Sequence, residues 1–405
     1  MDILTQILKR LQLRKCQAMF LQQVVGLILA IPGRINYLNL ERYSERSEKS
    51  YRNWFEKPLD WVSVNAEMVV EMQALGLMGK TLVLAVDGSF VSKAGKHTPG
   101  LGKFWDGKAG KAMRGLELHS AALIDLEKRQ AFVLDARQTP AISEAEAPSR
   151  MHAYAQHSVE VVAALPASLR QRLKCVVADA LYAKASFVDA LRHEGLHVVS
   201  KLRVDANLKY LYQGERSKKS GRPQRFDGKV DFKDFSRWQT VQSDKTSVVY
   251  TAILYSIALK REVRVVVICY LATAQRKAHR EVLFSTDLTV LALDIIACYR
   301  ARFEIEFVFR DAKQFAGLQD CQSRSQDALA FHWNAARLTV NVTRVQQLTI
   351  TTGRDSFVFR MEDAKRRSFN QLLAHRIIDS LPFDLTYQNC LPFIHSALNL
   401  GVKAT

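Results

Sequence analysis

The order of apolar segments between residues 81 and 202 restricts the fold more than any other feature of the chain. Three predicted strands come first and follow one another as the strands of β-hairpins do. Helices then alternate with two further strands. A nearly continuous run of aliphatic and β-branched residues, such as the first segment, is typical of a central strand covered on both faces. The segments are strands 81–91, 115–126 and 130–136, helix 153–165, strand 174–178, helix 183–192 and strand 196–202. We therefore predict an α/β fold with a mixed five-stranded sheet flanked by helices.

Changes in sequence pattern divide the whole chain into five predicted regions. Residues 1–78 carry apolar side chains at helical spacing, which fits a DNA-binding helix-turn-helix domain and a plain helical bundle equally well. Residues 79–203 form the first part of the core, and residues 204–272 form a β-rich insertion. The core resumes in residues 273–345 with a strand at 281–287 and a long helix over about residues 291–315, and residues 346–405 form a helical C-terminal region.

The positive charge of the chain indicates a polyanionic partner. Lysine and arginine number 58 against 40 acidic residues, so the net charge is +18, and nucleic acid is the usual partner of so basic a protein. A generally basic proteome or an association with ribosomes is the alternative explanation. The basic tract at residues 201–225 supplies four candidate DNA-binding residues, which are Lys218, Lys219, Arg222 and Arg225.

Several other classes of protein are disfavoured. The longest apolar runs are far shorter than the roughly 20 residues that cross a bilayer, and no apolar leader opens the sequence, so we expect a cytoplasmic protein with no membrane partner. The six cysteines form no CxxC pair, which disfavours zinc ribbons and disulfide frameworks. The stretch from Gly102 to Lys108 is close to a phosphate-binding P-loop, but Ala109 stands where the serine or threonine should be. We interpret residues 93–114 as a basic, glycine-rich loop between two strands that could still contact phosphates.

Two aspartates follow apolar strand segments directly. Asp87 comes after the run from Leu82 to Val86, where we expect the strand to give way to a turn, and Asp179 ends the run from Cys175 to Ala178. A carboxylate at such a position is costly unless a cation neutralises it. Either aspartate alone could be a turn or helix-cap residue, whereas two of them at the ends of core strands suit the ligation of a hard metal ion.

A third group of polar side chains lies on the long predicted helix. At about 100° per residue, Tyr299, Arg302, Glu306 and Lys313 point within roughly 60° of one another. A solvated charged face with an i,i+4 ion pair is the alternative, because such pairs are common on helices. Phenylalanines on both sides of the stripe indicate instead that the helix is covered by other parts of the protein.

Together these residues resemble the DDE transposases of bacterial insertion sequences, specifically the insertion-sequence-four type. Tyr299-x2-Arg302-x3-Glu306-x6-Lys313 has the complete spacing of the YREK signature of that type, and Asp87 and Asp179 match its first two carboxylates. Ala180 replaces the glycine that is frequent after the second aspartate, which is a mild departure. The resemblance covers about residues 80–345, and the interval between Asp179 and Glu306 has room for the strand-rich insertion of the family.

The resemblance implies both a fold and a set of residue roles. The fold is a ribonuclease-H-like catalytic core in which Asp87, Asp179 and Glu306 hold two Mg²⁺ ions, for which Mn²⁺ could substitute. Tyr299, Arg302 and Lys313 would hold DNA phosphates. In relatives that form a DNA hairpin, a tryptophan of the insertion stacks on a flipped base, and Trp238 is the candidate here. Packing of Trp238 within the insertion's own core is the alternative.

The function implied is cleavage and strand transfer of double-stranded DNA by a DDE transposase. Its partners would be the ends of an insertion sequence and target DNA, and a homodimer would join two ends in the synaptic complex. Such a protein would act in the bacterial cytoplasm in association with the nucleoid. A structure-specific nuclease on the same fold and a catalytically idle DNA-binding derivative are the two alternatives.

Overall fold

The computed structural model describes residues 3–140, 149–214, 223–273, 277–350, 358–381 and 387–402. The strands in these ranges are β1 Leu82–Ser92, β2 Gly102–Asp106, β3 Lys111–Asp125, β4 Gln130–Gln138, β5 Leu173–Ala178, β6 Val198–Leu202, β7 Leu208–Leu211, β8 Phe226–Lys229, β9 Gln239–Ser243, β10 Ser247–Ser256, β11 Arg261–Tyr270 and β12 His279–Ser285. The α-helices are α1 Ile3–Arg10, α2 Lys15–Ala30, α3 Tyr37–Arg42, α4 Glu48–Phe55, α5 Trp61–Ala74, α6 Ser149–Ala164, α7 Ala167–Arg170, α8 Ala185–His193, α9 Ala292–Ala301, α10 Glu304–Phe315, α11 Gln326–Ile350, α12 Met361–Ser380 and α13 Tyr387–Leu398. Within the described ranges, no helix combines the length and the apolar character needed to cross a bilayer.

Five strands form the predicted mixed sheet in the order β4-β3-β1-β5-β6. β1, β3 and β4 are antiparallel neighbours, whereas β5 and β6 run parallel to β1. The central position of β1 explains its composition, because Leu82 to Val86 are all buried beneath helices on both faces. Three antiparallel strands followed by two parallel ones in this order give the ribonuclease-H-like topology, so the predicted fold class is confirmed.

The β-rich insertion continues the core sheet. β12 pairs antiparallel with β6, and β11, β10 and β7 follow in turn, so the strands of the described residues form one twelve-stranded sheet. The edge of β6 that a five-stranded sheet would leave open is therefore covered by β12. The sequence predicted a β-rich insertion but not the short strands β7, β8 and β9 or the pairing of the insertion with the core sheet.

Asparagine side chains cover the free edge of β4 at the other side of the core. Asn334 of α11 accepts from the Ala136 amide at 2.9 Å and donates to its carbonyl at 3.0 Å. Asn341 of the same helix donates to the Val133 carbonyl, and Asn65 of α5 donates to the Leu134 carbonyl. The backbone groups of the edge strand are thus hydrogen-bonded without a further strand, which fixes α5 and α11 against the sheet.

Three local predictions were wrong. β1 does not end at Asp87, because its pairing with β3 continues as far as Ser92 opposite Gly115. Part of the predicted loop at residues 93–114 is a hairpin of β2 with the start of β3. The predicted helix at 291–315 is interrupted, since the Arg302 and Phe303 amides bond three residues back, to Tyr299 and Arg300. Such a 3₁₀-type turn breaks the α-helical ladder between α9 and α10.

Candidate active site

Asp87 and Asp179 lie side by side because their strands are parallel neighbours. Val86 of β1 is in register with Ala178 of β5, so the residue after each reaches the same edge of the parallel pair. Asp179 is also a cap, as its Oδ1 accepts from the Leu181 amide at 2.9 Å and begins the one-turn 3₁₀ helix Ala180–Tyr182. Asp179 is therefore a helix-cap residue, as the alternative interpretation of the sequence held. The pairing of β1 with β5 also places Asp179 beside Asp87.

Arg302 connects Glu306 to Asp87 across the break between α9 and α10. One guanidinium nitrogen lies 2.8 Å from Oδ2 of Asp87, and the other lies 2.9 Å from Oε1 of Glu306. The Arg302 side chain is largely buried and that of Glu306 is half-exposed. The break thus allows one guanidinium to hold two carboxylates that are far apart in the sequence.

The charges of the predicted site influence one another. Burial, together with the negative charges of Asp179 and Glu306, raises the pKa of Asp87 to about 7 against the opposing effect of Arg302. Burial lowers the pKa of Arg302, but Asp87, Glu306, Tyr299 and Asp179 outweigh burial and leave that pKa above its ordinary value. All three predicted carboxylates therefore lie within electrostatic range of one guanidinium.

Tyr299 and Lys313 lie on either side of this cluster. The guanidinium of Arg302 is 6.0 Å from the centre of the Tyr299 ring, and burial raises the pKa of Tyr299. Burial and the charge of Arg337 lower the pKa of Lys313 to about 8, and Asp106, Lys108 and Asp87 also act on it. Among the described residues, no acceptor lies within hydrogen-bond distance of the Lys313 ammonium group. Lys313 is therefore a half-buried cation whose charge is not compensated by a hydrogen bond to any described residue, although Asp106 and Asp87 act on it at longer range.

Lys313→Met is expected to raise the melting temperature at pH 7 by about 2–4 °C, because it removes this uncompensated charge. The folded-state pKa near 8 lies below the ordinary value of 10.5, so the unfolded chain holds the proton more tightly. Wild-type stability should consequently rise as pH increases from about 8 to about 10, and the advantage of the variant should disappear over that interval. Thermal unfolding across this pH range measures the effect.

Lys365→Met is the matched control for this test. Burial also lowers the pKa of Lys365 to about 8, but its ammonium donates to the carbonyls of Ile28 at 3.0 Å and Phe315 at 2.8 Å. Loss of those bonds should lower the melting temperature, since two buried acceptors lose their donor. Destabilisation of both variants alike would show that Lys313 is an ordinary structural residue.

Of the predicted residues of the insertion, the structure describes Trp238 and Arg225. Trp238 is 7% exposed, packs edge-on against Phe235 and donates from Nε1 to the Tyr210 hydroxyl at 3.0 Å. Trp238 is thus packed within the insertion's own core, as the alternative interpretation held. In this conformation its ring is not available to stack on a base. Arg225 is exposed and lies 4.4 Å from the centre of the Tyr255 ring. Lys218, Lys219 and Arg222 lie outside the described residues.

Glu117 and Tyr182 were not predicted as site residues, although Glu117 lies beside Gly88 and Tyr182 is within electrostatic range of Asp87. A Cβ at Gly88 would lie 3.5 Å from the Glu117 carboxyl carbon, and Glu117 accepts a hydrogen bond from the Tyr154 hydroxyl. Burial raises the pKa of Tyr182 strongly, and Asp87 adds to that effect. Tyr182 could have been identified as the aromatic residue soon after Asp179, whereas Glu117 lies inside an apolar strand with no distinguishing signal.

The donor set suits a hard divalent cation, because such ions prefer carboxylate oxygens. In this conformation Arg302 supplies the positive charge, and no three His, Cys, Asp or Glu side chains in the described part of the chain are close enough together to hold an ion. The raised pKa of Asp87 and the guanidinium bridge both indicate that this cluster favours added positive charge. The residues therefore fit a divalent metal ion in their chemistry.

Similarity to known proteins agrees with this geometry. A family profile described as "DDE superfamily endonuclease" matches residues 4–258, which is more than half of the chain. The chain belongs to this family. A second profile, described as "Archaeal putative transposase ISC1217", matches residues 255–350. The first match includes Asp87 and Asp179, and the second includes the segment from Tyr299 to Lys313. Membership of this family indicates a DNA-cleaving enzyme.

Similarity outside the family profiles is low. A cryo-EM structure of the piggyBac transposase synaptic complex with hairpin DNA aligns at 10% identity and a TM-score of 0.42, over 98% of this chain and 81% of that chain. At these values the alignment supports no inference about function. No curated protein is significantly similar to the chain in sequence. Membership of the insertion-sequence-four type and the YREK signature stay predictions.

Proposed function

We propose that this DDE endonuclease is a transposase of the insertion-sequence-four type that cleaves DNA at the ends of its own element and joins the freed ends to target DNA. The bridge from Arg302 to Asp87 and Glu306 carries the proposal. It joins members of both predicted motifs, from opposite halves of the chain, at distances of 2.8 and 2.9 Å. Asp179 is next to Asp87 in the parallel strand pair, which completes the set of three carboxylates.

Asp87, Asp179 and Glu306 would hold two Mg²⁺ ions, for which Mn²⁺ could substitute. Bound there, the ions would stabilise the negative charge that develops when a phosphodiester is displaced in line. The carboxylates are fixed by different elements, since Asp87 is within β1, Asp179 follows β5, and Glu306 is in the first turn of α10. Such separate anchoring keeps their relative positions stable while DNA enters.

The three remaining residues of the signature would hold phosphates. Arg302 presents a planar fork that matches a phosphate as well as it matches the carboxylates it now bridges. Lys313 donates no hydrogen bond to a described residue, so a DNA phosphate would accept one and would restore the pKa of Lys313 toward its ordinary value. Tyr299, whose ring centre lies 6.0 Å from the Arg302 guanidinium, would offer a hydroxyl. Positive charge would thus line the approach to the carboxylates.

The test of this proposal is a strand-transfer assay. Labelled duplexes that carry the inverted repeats flanking the gene are incubated with the protein, Mg²⁺ and a target plasmid. Label joined to the plasmid supports transposition, and paired joining of two ends would support the expected homodimer. Nicked duplex without joined product would assign the protein to the structure-specific nucleases instead. Absence of any cleavage would identify a catalytically idle DNA-binding derivative.

Divalent ions should also stabilise the protein in the absence of DNA. A ligand at about 100 times its dissociation constant adds roughly 2.7 kcal/mol to the free energy of unfolding. We therefore expect Mg²⁺ and Mn²⁺ to raise the melting temperature of the wild type and to have little effect on Glu306→Gln, which removes an anionic ligand. Asp189→Asn is the control, because that exposed carboxylate pairs with Arg261. Equal stabilisation of all three proteins would place ion binding outside the proposed site.

A further inference from the structure

A hairpin at the start of β3, the strand that pairs with β1, consists of β2 and the first residues of β3. Its turn is fixed locally, since Oδ1 of Asp106 accepts from the Lys108 amide at 3.0 Å and the Asp106 carbonyl accepts from the Gly110 amide at 2.9 Å. Gly110 has φ of +61°, a conformation that glycine adopts without strain. The hairpin is therefore a defined structural feature that β3 connects directly to the core sheet.

One side of the hairpin faces the same way as Asp87. Asp87 is opposite Ser120 on β3, and Trp105 is opposite Ala112 on the same strand. Directly opposite residues of an antiparallel pair point to one face, and residues an even number of positions apart along a strand share that face. Trp105 and Asp87 consequently lie on the same face of the sheet. Lys103 and Arg114, which are opposite each other, share it.

The other side of the hairpin is anchored to the protein. Phe104 is buried, and the Arg150 guanidinium of α6 lies 5.0 Å from the centre of its ring. Helix α6 also covers the opposite face of β3, where His119 stacks on Tyr154. The hairpin is thus held from one face, which leaves the Trp105 side uncovered.

Trp105 is 64% exposed, whereas Trp61, Trp238 and Trp333 are buried. An exposed indole has no role in the packing of this hairpin, because Phe104 is the residue that anchors it. The surrounding charged side chains are mostly basic and exposed, with Asp106 as the exception: Lys103, Lys108, Lys111 and Arg114. An aromatic ring among cations is the combination that binds single-stranded nucleic acid, since the ring stacks on a base and the cations contact phosphates.

We propose that Trp105 stacks on an unpaired base of the DNA held at the carboxylate site, with Lys103 and Arg114 contacting the adjacent phosphates. This inference rests on the proposed function. Ser120 and Ala112 are eight residues apart along β3, which corresponds to about 26 Å. The stacked base is therefore several nucleotides away from the phosphate at the carboxylates. Lys313 is within electrostatic range of both Asp87 and Asp106.

Binding of fluorescent DNA in the presence of EDTA, where cleavage is suppressed, tests the proposal. The probes are a duplex with a single-stranded tail that contains 2-aminopurine and a fully paired duplex of the same length. Trp105→Ala should weaken binding of the tailed duplex about fivefold to 100-fold and abolish the quenching of 2-aminopurine. Its effect on the fully paired duplex should be less than about threefold. Trp105→Phe should retain most of the affinity, since a phenyl ring also stacks.

Met113→Ala is the matched control, because Met113 is exposed on the same hairpin but lies opposite the buried Phe104. It should leave binding of both probes and the quenching unchanged. Equal binding by Trp105→Ala and the wild type, or equal weakening of both probes, would overturn the stacking role and leave the proposed function standing. Absence of DNA binding by the wild type would overturn the proposed function together with this inference.

Discussion

Asp87→Asn and Asp179→Asn are each expected to lower the rate of DNA cleavage by about 10³-fold or more while DNA binding is retained. Each substitution removes an anionic ligand, and metal ions supply several kcal/mol of the charge stabilisation in phosphodiester displacement. Each also removes a negative charge beside the DNA phosphates, so the affinity for DNA should be unchanged or higher. Single-turnover cleavage and equilibrium binding of the same duplex measure the two effects separately.

Asp294→Asn is the control for both variants. Asp294 is in the first turn of α9, is exposed and lies 2.6 Å from the Lys174 ammonium group. Loss of an exposed ion pair costs about 1 kcal/mol or less in stability and should not affect cleavage. Near wild-type cleavage by Asp87→Asn or Asp179→Asn would remove that residue from the site. Equal loss by the Asp294→Asn control would point to a general effect of lost negative charge.

The adjacency of Asp87 and Asp179 could be predicted because it depends on strand order. Buried strand segments are visible in the sequence as apolar runs, and alternation with helices implies parallel neighbours. Parallel neighbours align the residues that follow their apolar runs, as the register of Val86 with Ala178 shows. The spacing between Arg302 and Glu306 was equally informative, since residues four apart meet on a helix or a tight helical turn.

The interruption between α9 and α10 could not be predicted, because no glycine or proline marks it. Residues 300 to 306 have ordinary helix-forming character, and the change to three-residue hydrogen bonds appears only in the folded chain. The bridge from Arg302 to Asp87 involves a separation of 215 residues and depends on tertiary packing. Similarly, the sequence does not distinguish Trp238 from Trp105, since both lie near basic residues. Only the folded structure shows that Trp105 is exposed and that Trp238 is buried.

Glu306→Gln and Glu304→Gln form the sharpest comparison within the candidate site. Both glutamates are in the first turn of α10, so their interactions with the helix dipole are similar. Their surroundings differ, because Glu306 contacts Arg302 at 2.9 Å, whereas Glu304 is near Arg129 and Arg344. Burial raises the pKa of Glu304, and the two arginines oppose that effect. The two side chains therefore belong to opposite sides of the helix.

We expect Glu306→Gln to reduce cleavage by several orders of magnitude and Glu304→Gln to reduce it less than about tenfold. Glutamine is close to glutamate in size and in helix propensity, so neither substitution should unfold α10. Thermal unfolding of both variants checks this point independently, and the Glu304 variant is the one expected to change in stability, because Arg344 would lose a nearby negative charge. Equal loss of cleavage, or a greater loss in Glu304→Gln, would mean that Glu306 is not the third carboxylate. In that case the guanidinium bridge to Asp87 would be a structural ion pair, and the third ligand would have to come from another residue near Asp87.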